Sequence, residues 1–153
     1  WKIYTKGDII RPQYISGESV VERSIIGEGA EIYGEVHNCV IGADVTIEKG
    51  AVVRDSIIMK HTRIGAGSQI DKSIIAESVD IGENVVTGVG EEAPNVLKPA
   101  VYGFGLVTIA ENSVIPSGVK IGKNTAISGA TTAEDYPDGE LVSGGAIVKK
   151  DGE

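Results

Sequence analysis

Large aliphatic residues recur along this chain at steps of five and six. They fall at Ile9, Ile15, Val21, Ile26 and Ile32, then at Ile41, Ile47, Val53, Ile58, Ile64, Ile70, Ile75 and Ile81. After an interruption they resume at Ile109, Ile115, Ile121 and Ile127, now in clean sixes. An amphipathic helix needs apolar positions at i, i+3, i+4 and i+7, and a half-buried strand needs strict alternation, so neither fits. A longer repeat lies over this beat. VERSIIG (21–27), VHNCVIG (36–42), VRDSIIM (53–59) and IDKSIIA (70–76) are copies of one phrase. The last two are 17 residues apart, as 6+6+5, whereas Ile26 to Ile41 spans only 15. A fixed period of this size marks stacked structural units.

The step fits one short strand plus one corner. Three such sides close a triangular coil, and the next coil stacks on it about 4.8 Å away by parallel pairing. The pattern therefore predicts an all-β parallel β-helix of roughly six to seven coils, a prism roughly 30 Å long. The residue two before each beat is small: Ala30, Cys39, Ala51, Ser56, Thr62, Ser68, Ser73 and Ser113 are examples. Two steps along a strand return to the same face, so these share the interior with the aliphatics. Gly27, Gly42, Gly65, Gly82 and Gly122 follow a beat directly, which suits a tight corner or a positive φ. Each coil buries about three large aliphatics, at about 1.5–3 kcal/mol apiece.

Outward positions carry a second signal. The phrases align Glu22, His37, Arg54 and Asp71 in one ladder and Arg23, Asn38, Asp55 and Lys72 in the next. Arg54 is expected over Asp71, and Asp55 over Lys72, as weak ion pairs. The first aliphatic of each doublet, Ile25, Val40, Ile57 or Ile74, precedes the beat by one residue and should point out. Stacked, these four make an apolar stripe, and a contiguous patch marks an interface. Residues 86–106 break the beat and read as an extruded loop. The β-helix is placed at 1–128. Residues 129–153 read as a turn-rich linker, a possible last strand at 141–148 and a tail.

Composition narrows the class. At 153 residues one domain is expected. A net charge of −8 disfavours nucleic acid and anionic membrane as partners. No 18-residue apolar run, no signal peptide and a single Cys point to a cytoplasmic protein without a disulfide framework. The first residue is Trp1 rather than Met, so a fragment of something longer is expected.

Candidate chemistry is sparse. His37 and His61 are the general-base candidates, yet no companion acid accompanies either. A three-histidine zinc centre is excluded by having only two His. GVGEEA at 88–93 echoes a dinucleotide loop without the following helix. Cys39, in an inward slot, reads as an inert core thiol.

The beat resembles the hexapeptide repeat of left-handed parallel β-helices, and the left hand is implied by that resemblance. The opening WKIYTKGDIIRPQYI, the phrases ERSIIGEGAEIYGEVHNCVIG and VRDSIIM, and the late GLVTIAENSVIPSGVKIGKN resemble the C-terminal domain of bacterial glucose-1-phosphate adenylyltransferases. That resemblance implies an assembly and regulatory domain. The whole enzyme would make ADP-glucose and pyrophosphate from ATP and glucose 1-phosphate with Mg²⁺, towards glycogen. Its partners would be its own N-terminal catalytic domain, further subunits of a homotetramer and a metabolite effector. The family's GGxGTRLxxLT nucleotide loop is not in this sequence, so no catalytic residue carries over and no cofactor is expected in this part. Lys2, Arg11 and Arg23 are the candidates for an anionic effector. A free-standing hexapeptide acyltransferase and the β-helix tail of another sugar-phosphate nucleotidyltransferase are the competing readings. The recurring five-residue side separates the first, since acyltransferase coils usually keep a strict 18.

Overall fold

The computed structural model describes residues 10–149. The beat becomes three parallel sheets of six, seven and seven short strands, and no α-helix occurs among the described residues. The first sheet runs from Tyr14–Ile15 to Val114–Ile115, the second from Val20–Glu22 to Glu140–Leu141, and the third from Ile25–Ile26 to Ala146–Val148. Chain order cycles through the three sheets, so each circuit is one coil. Register follows the repeat: Ile47 pairs with Ile64, Val53 with Ile70, and Ile58 with Ile75.

The core is the beat and its small companions. Ile32, Ile41, Ile47, Ile58, Ile64, Ile70, Ile75, Ile81, Ile115 and Ile121 are fully buried. Ala30, Cys39, Ala51, Ser56, Thr62, Ser68, Ser73 and Ser113 lie beside them. The hydroxyls in this set cannot stay unpaired in an apolar interior. Ser56, Ser73, Thr62 and Ser68 donate to the carbonyls of Arg54, Asp71, Ala76 and Gly82, which satisfies them within the stack.

Corners explain the odd steps. On the side between the second and third sheets one residue turns the chain: Arg23, Asn38, Asp55 and Lys72 have φ of 47°, 56°, 47° and 41°. This side carries one residue fewer than the other two, which makes its step five. The 15-residue coil has a different cause. Ile32 and Val36 are joined through Tyr33–Gly34, two residues fewer than between Ile47 and Val53. Gly34 permits this because a side chain there would strike the carbonyl of Ala51.

Several expectations need correction. The glycines after a beat turn tight corners but without positive φ. They are needed for close approach, since a Cβ on Gly65 would meet the Gly82 carbonyl carbon at 2.5 Å, and one on Gly42 the Lys60 nitrogen at 2.7 Å. The loop expected at 86–106 starts later, because Val86–Val89 is a strand of the second sheet with a bulge between Thr87 and Val89. The Arg54–Asp71 register is present, and Asp55 and Lys72 are the corner residues that follow it. Neither pair closes into an ion pair among the described residues, and Asp55 instead accepts from Asn38 Nδ2 at 2.6 Å. Solvent at this surface leaves little drive for such pairs. On the first sheet Arg63 bridges Glu48 and Asp80, at 2.8 and 2.9 Å.

Beyond residue 128 the solenoid continues. The possible last strand at 141–148 is two strands, Glu140–Leu141 and Ala146–Val148, which extend the second and third sheets. On the first side, Val114 N–H donates to Thr131 O at 2.8 Å. Tyr136 joins the core there, and its hydroxyl bonds Thr131 Oγ1 at 2.9 Å. Burial pushes its phenol up to about 12.

These features make three expected outcomes. Ile58→Ala costs about 2–5 kcal/mol by chemical denaturation, whereas Ile57→Ala, on the outer face, costs well under half of that. Gly65→Ala lowers Tm because backbone must move, while Gly17→Ala, with open space around it, leaves Tm within error of wild type. In alkaline titration, the folded Tyr136 holds its proton above pH 10.0, where the unfolded phenol has begun to lose it. The stability this contributes is complete below pH 10.0 and is lost as pH rises through about 12. Tyr136→Phe reduces that loss, as read by denaturation midpoints across this range.

Candidate functional site

The third sheet presents an outer face that carries no charge. Its paired outward positions Ile25, Val40, Ile57, Ile74, Thr108, Ala126 and Ala146 form one continuous ladder. The other two sheets differ. Outward ladders there include Glu31, Arg63 and Asp80 on the first, and Glu22, His37, Arg54 and Asp71 on the second. The stripe anticipated from the doubled aliphatics is therefore an outward feature of the fold. Ile25 is 68 % exposed, Val40 44 % and Ile57 42 %; Ile74 is half-buried, and Ala126 is buried.

What covers the far end of the ladder is the segment 90–106, inserted between the second and third sheets. It is not a loose excursion. Asn95 is buried and its amide makes four hydrogen bonds. Nδ2 donates to Asn124 O (2.8 Å) and Gly145 O (3.1 Å), and Oδ1 accepts from the Leu97 and Lys98 amides (2.9 and 3.1 Å). Asn124 answers from the corner of the next coil: its Nδ2 donates to Ala93 O (2.9 Å) and its Oδ1 accepts from Gly105 N–H (2.7 Å). Thus pinned, the segment sets Leu97, Lys98 and Tyr102 beside Ala126, Ser128 and Val148 around a groove of about 370 Å³. A second groove of about 540 Å³ lies on the second sheet where the bulge opens it, lined by Val86, Val89, Lys120, Glu140, Leu141 and Ser143 among others.

The remaining sequence candidates are dispersed. His37 is held between carboxylates, with Nδ1 3.1 Å from Glu22 and Nε2 3.3 Å from Glu35, so neither ring nitrogen faces an empty cleft. His61 is half-exposed at a positive-φ corner, 3.7 Å from Asp44. Cys39 is buried, its thiol donating to His37 O at 3.1 Å, and desolvation raises its pKa, which disfavours the thiolate. Arg11 pairs with Glu31 on the first sheet at 2.9 Å. Arg23 sits at a corner between the second and third sheets. The two do not converge, and Lys2 lies outside the described residues. No group of three or more His, Cys, Asp or Glu able to hold a metal ion occurs among the described residues.

Sequence reading missed the two asparagines that fix the 90–106 segment. Their signal was faint: Asn95 follows Pro94, and Asn124 stands where a corner demands positive φ, an ordinary site for Asn.

A profile described as "GlmU-like, C-terminal hexapeptide" matches residues 13–104. The chain belongs to the GlmU-like C-terminal hexapeptide family. Within that family setting it is 62 % identical over 149 residues to a glucose-1-phosphate adenylyltransferase of Lachnospira eligens, covering 97 % of this chain and 35 % of that protein. A glucose-1-phosphate adenylyltransferase of Acetivibrio thermocellus is 42 % identical with the same coverage. One of Thermotoga neapolitana is 41 % identical over 151 residues, 99 % of this chain and 36 % of that protein. The chain thus spans about a third of the length of the curated relatives it matches, and the match falls in their C-terminal region. No helix among the described residues is long and apolar enough to cross a membrane.

Replacing Asn95 with Leu should free the segment. Asn124 O and the Leu97 and Lys98 amides lose their partners, while Gly145 O keeps the Ala126 N–H; the cost is about 1–3 kcal/mol per buried unsatisfied group. Limited proteolysis is expected to cut between 96 and 104 in Asn95→Leu well before it cuts wild type.

Proposed function

We propose that this chain is the assembly and regulatory β-helix domain of a glucose-1-phosphate adenylyltransferase. The observation that carries this is the 62 % identity running through 97 % of the chain while occupying 35 % of the relative so named. The whole polypeptide joins ATP and glucose 1-phosphate into ADP-glucose and pyrophosphate with Mg²⁺, and a catalytic half outside this chain supplies the nucleotide site. The β-helix contributes surface and rigidity. Its fold suits that task, because a stack of mutually hydrogen-bonded coils holds any outward residue at a fixed place.

In this reading the stripe Ile25, Val40, Ile57 and Ile74 docks against the catalytic half or another subunit. It is uncharged in a chain of net charge −8, contiguous, and most exposed near the described N-terminal end. Arg11, Arg23 and Lys2 are the residues to examine for an anionic metabolite effector.

Three measurements test this. The complete polypeptide should release pyrophosphate from ATP plus glucose 1-phosphate in a Mg²⁺-dependent manner. Preference for GTP with mannose 1-phosphate, or acyl transfer from an acyl thioester, would replace the reading with one of its competitors. Titration of this chain alone with millimolar ATP and Mg²⁺ should give no saturable heat. In the complete polypeptide, Ile57→Glu should leave the β-helix folded and lower the Tm of the enzyme through lost docking, whereas Ile58→Glu unfolds it by placing a charge in the core. Equal loss of β-sheet circular dichroism in both variants of the isolated chain would show the stripe to be core.

A further inference from the structure

The outward ladder of the third sheet is aliphatic in four successive coils, at Ile25, Val40, Ile57 and Ile74, and then turns small. Thr108 and Ala126 follow in the same register. A single methyl group at 126, where the earlier coils carry a branched aliphatic, leaves room on the face of the sheet. The 90–106 segment walls that room on one side. The result is the groove of about 370 Å³ among Leu97, Lys98, Tyr102, Ala126, Ser128 and Val148. Its size falls within the roughly 300–1,000 Å³ of small-molecule clefts.

The wall is built before any ligand arrives. Asn95 Oδ1 accepts the Leu97 and Lys98 amides, and Lys98 O accepts the Val101 and Tyr102 amides, both at 3.0 Å. That one turn sets Lys98 and Tyr102 next to each other. The floor is equally fixed, because Ser128 and Val148 are partners in the third sheet.

Charge and hydrogen bonding narrow the occupant. Among the described residues Lys98 takes part in no ion pair. The hydroxyls of Tyr102 and Ser128 bond to no protein atom among the described residues, and neither is sealed from solvent. Other charges lie outside the lining: Lys72 and Lys123 flank Gly105 together with Glu92, and Lys149 pairs with Asp135 at 3.0 Å. The groove thus offers one ammonium, two hydroxyls able to donate and no carboxylate, beside an apolar floor.

We propose that this groove binds a small organic carboxylate, with the carboxylate on Lys98 and the Tyr102 hydroxyl and the apolar body on Ala126 and Val148 against Leu97. One negative charge matches one ammonium, and a carboxylate has acceptor sites for a hydroxyl as well. A cation would be repelled, an uncharged analogue would lose the charge-assisted bond, and inorganic phosphate has nothing to lay on the floor. The proposal does not rest on the enzymatic reading, and it uses none of Lys2, Arg11 and Arg23.

Titration of the ¹⁵N-labelled full chain, followed by amide shifts in NMR spectra, tests it. Benzoate is the probe, with benzyl alcohol, benzylamine and inorganic phosphate as its uncharged, cationic and non-apolar counterparts. Benzoate should shift the amides of Leu97, Lys98, Tyr102 and Ser128 saturably in the millimolar range, and the other three should bind about tenfold more weakly or worse. Lys98→Met should weaken benzoate by about tenfold, as loss of a bond to a charged group does, while Lys98→Arg retains most of the affinity. Tyr102→Phe should weaken it severalfold. Ala126→Ile, which restores the residue of the earlier coils, should fill the groove and abolish binding; unchanged resistance to proteolysis between 96 and 104 shows that the wall has stayed in place. Lack of a saturable benzoate shift, an equal response to any of the three counterparts, or affinity indifferent to Lys98→Met would each overturn the proposal. None of these outcomes bears on whether the complete polypeptide makes ADP-glucose.

Discussion

Closure of each coil is the constraint on which everything else depends. A strand of two or three residues has too few hydrogen bonds to persist alone. Here every strand borrows its stability from the coils on either side, through parallel pairing that demands the same rise and turn each time. That demand explains the inward Ile or Val at each side, the small residue two positions earlier, and the left-handed corner residue. Where a corner closes tightest, the demand extends to atoms of the next coil. Gly65 lies against Gly82, and Gly34 against Ala51, because the stack leaves no room for a methyl group.

A repeating interior frees the exterior to vary, and the three faces have diverged. The first carries the Glu48–Arg63–Asp80 bridge. The second holds His37 between two glutamates. The third, next to the one-residue corner, carries no charge along its outward ladder. Its N-terminal half is open aliphatic surface, while its C-terminal half runs under the 90–106 segment. That segment leaves the solenoid at the same corner, after which the short side disappears: Gly122 to Thr125 turn with a full complement of residues. The insertion and the change from fives to sixes are thus one event. A domain built this way offers fixed surfaces.

The fold was legible in the sequence because its period is enforced by geometry at each turn. The core assignments for Ile32 to Ile81 and Ile109 to Ile127 followed from spacing, as did the outward placement of Ile25, Val40 and Ile57, since alternation about a buried neighbour leaves only one direction. The family resemblance, read from the opening and from the IPSGVKIG stretch, agrees with the relatives found. Spacing was less informative wherever the repeat lapses. It placed the start of the inserted segment four residues early, because Val86–Val89 pairs through a bulge that has no hydrophobic signature. It also read 129–140 as linker, where Tyr136 in fact closes the core.

Only the tertiary structure decided the use of residues whose partners are distant in sequence. Asn95 meets Gly145 across 50 positions, and Ser143 Oγ meets Val89 O across 54. Neither contact belongs to any repeat. The same holds for the roles of the glycines, which a sequence assigns to φ and the packed stack assigns to interatomic distance. It holds for the charge ladders too, where register was predictable and pairing was not, because exposed side chains choose among several neighbours of similar energy. The sequence by itself determined the coil, since a short-range beat and a backbone constraint are enough to specify it. The surface, with its covered and uncovered apolar ground and its groove, took shape only when one non-repeating segment was folded back onto the prism, since contacts of that range leave no period to read.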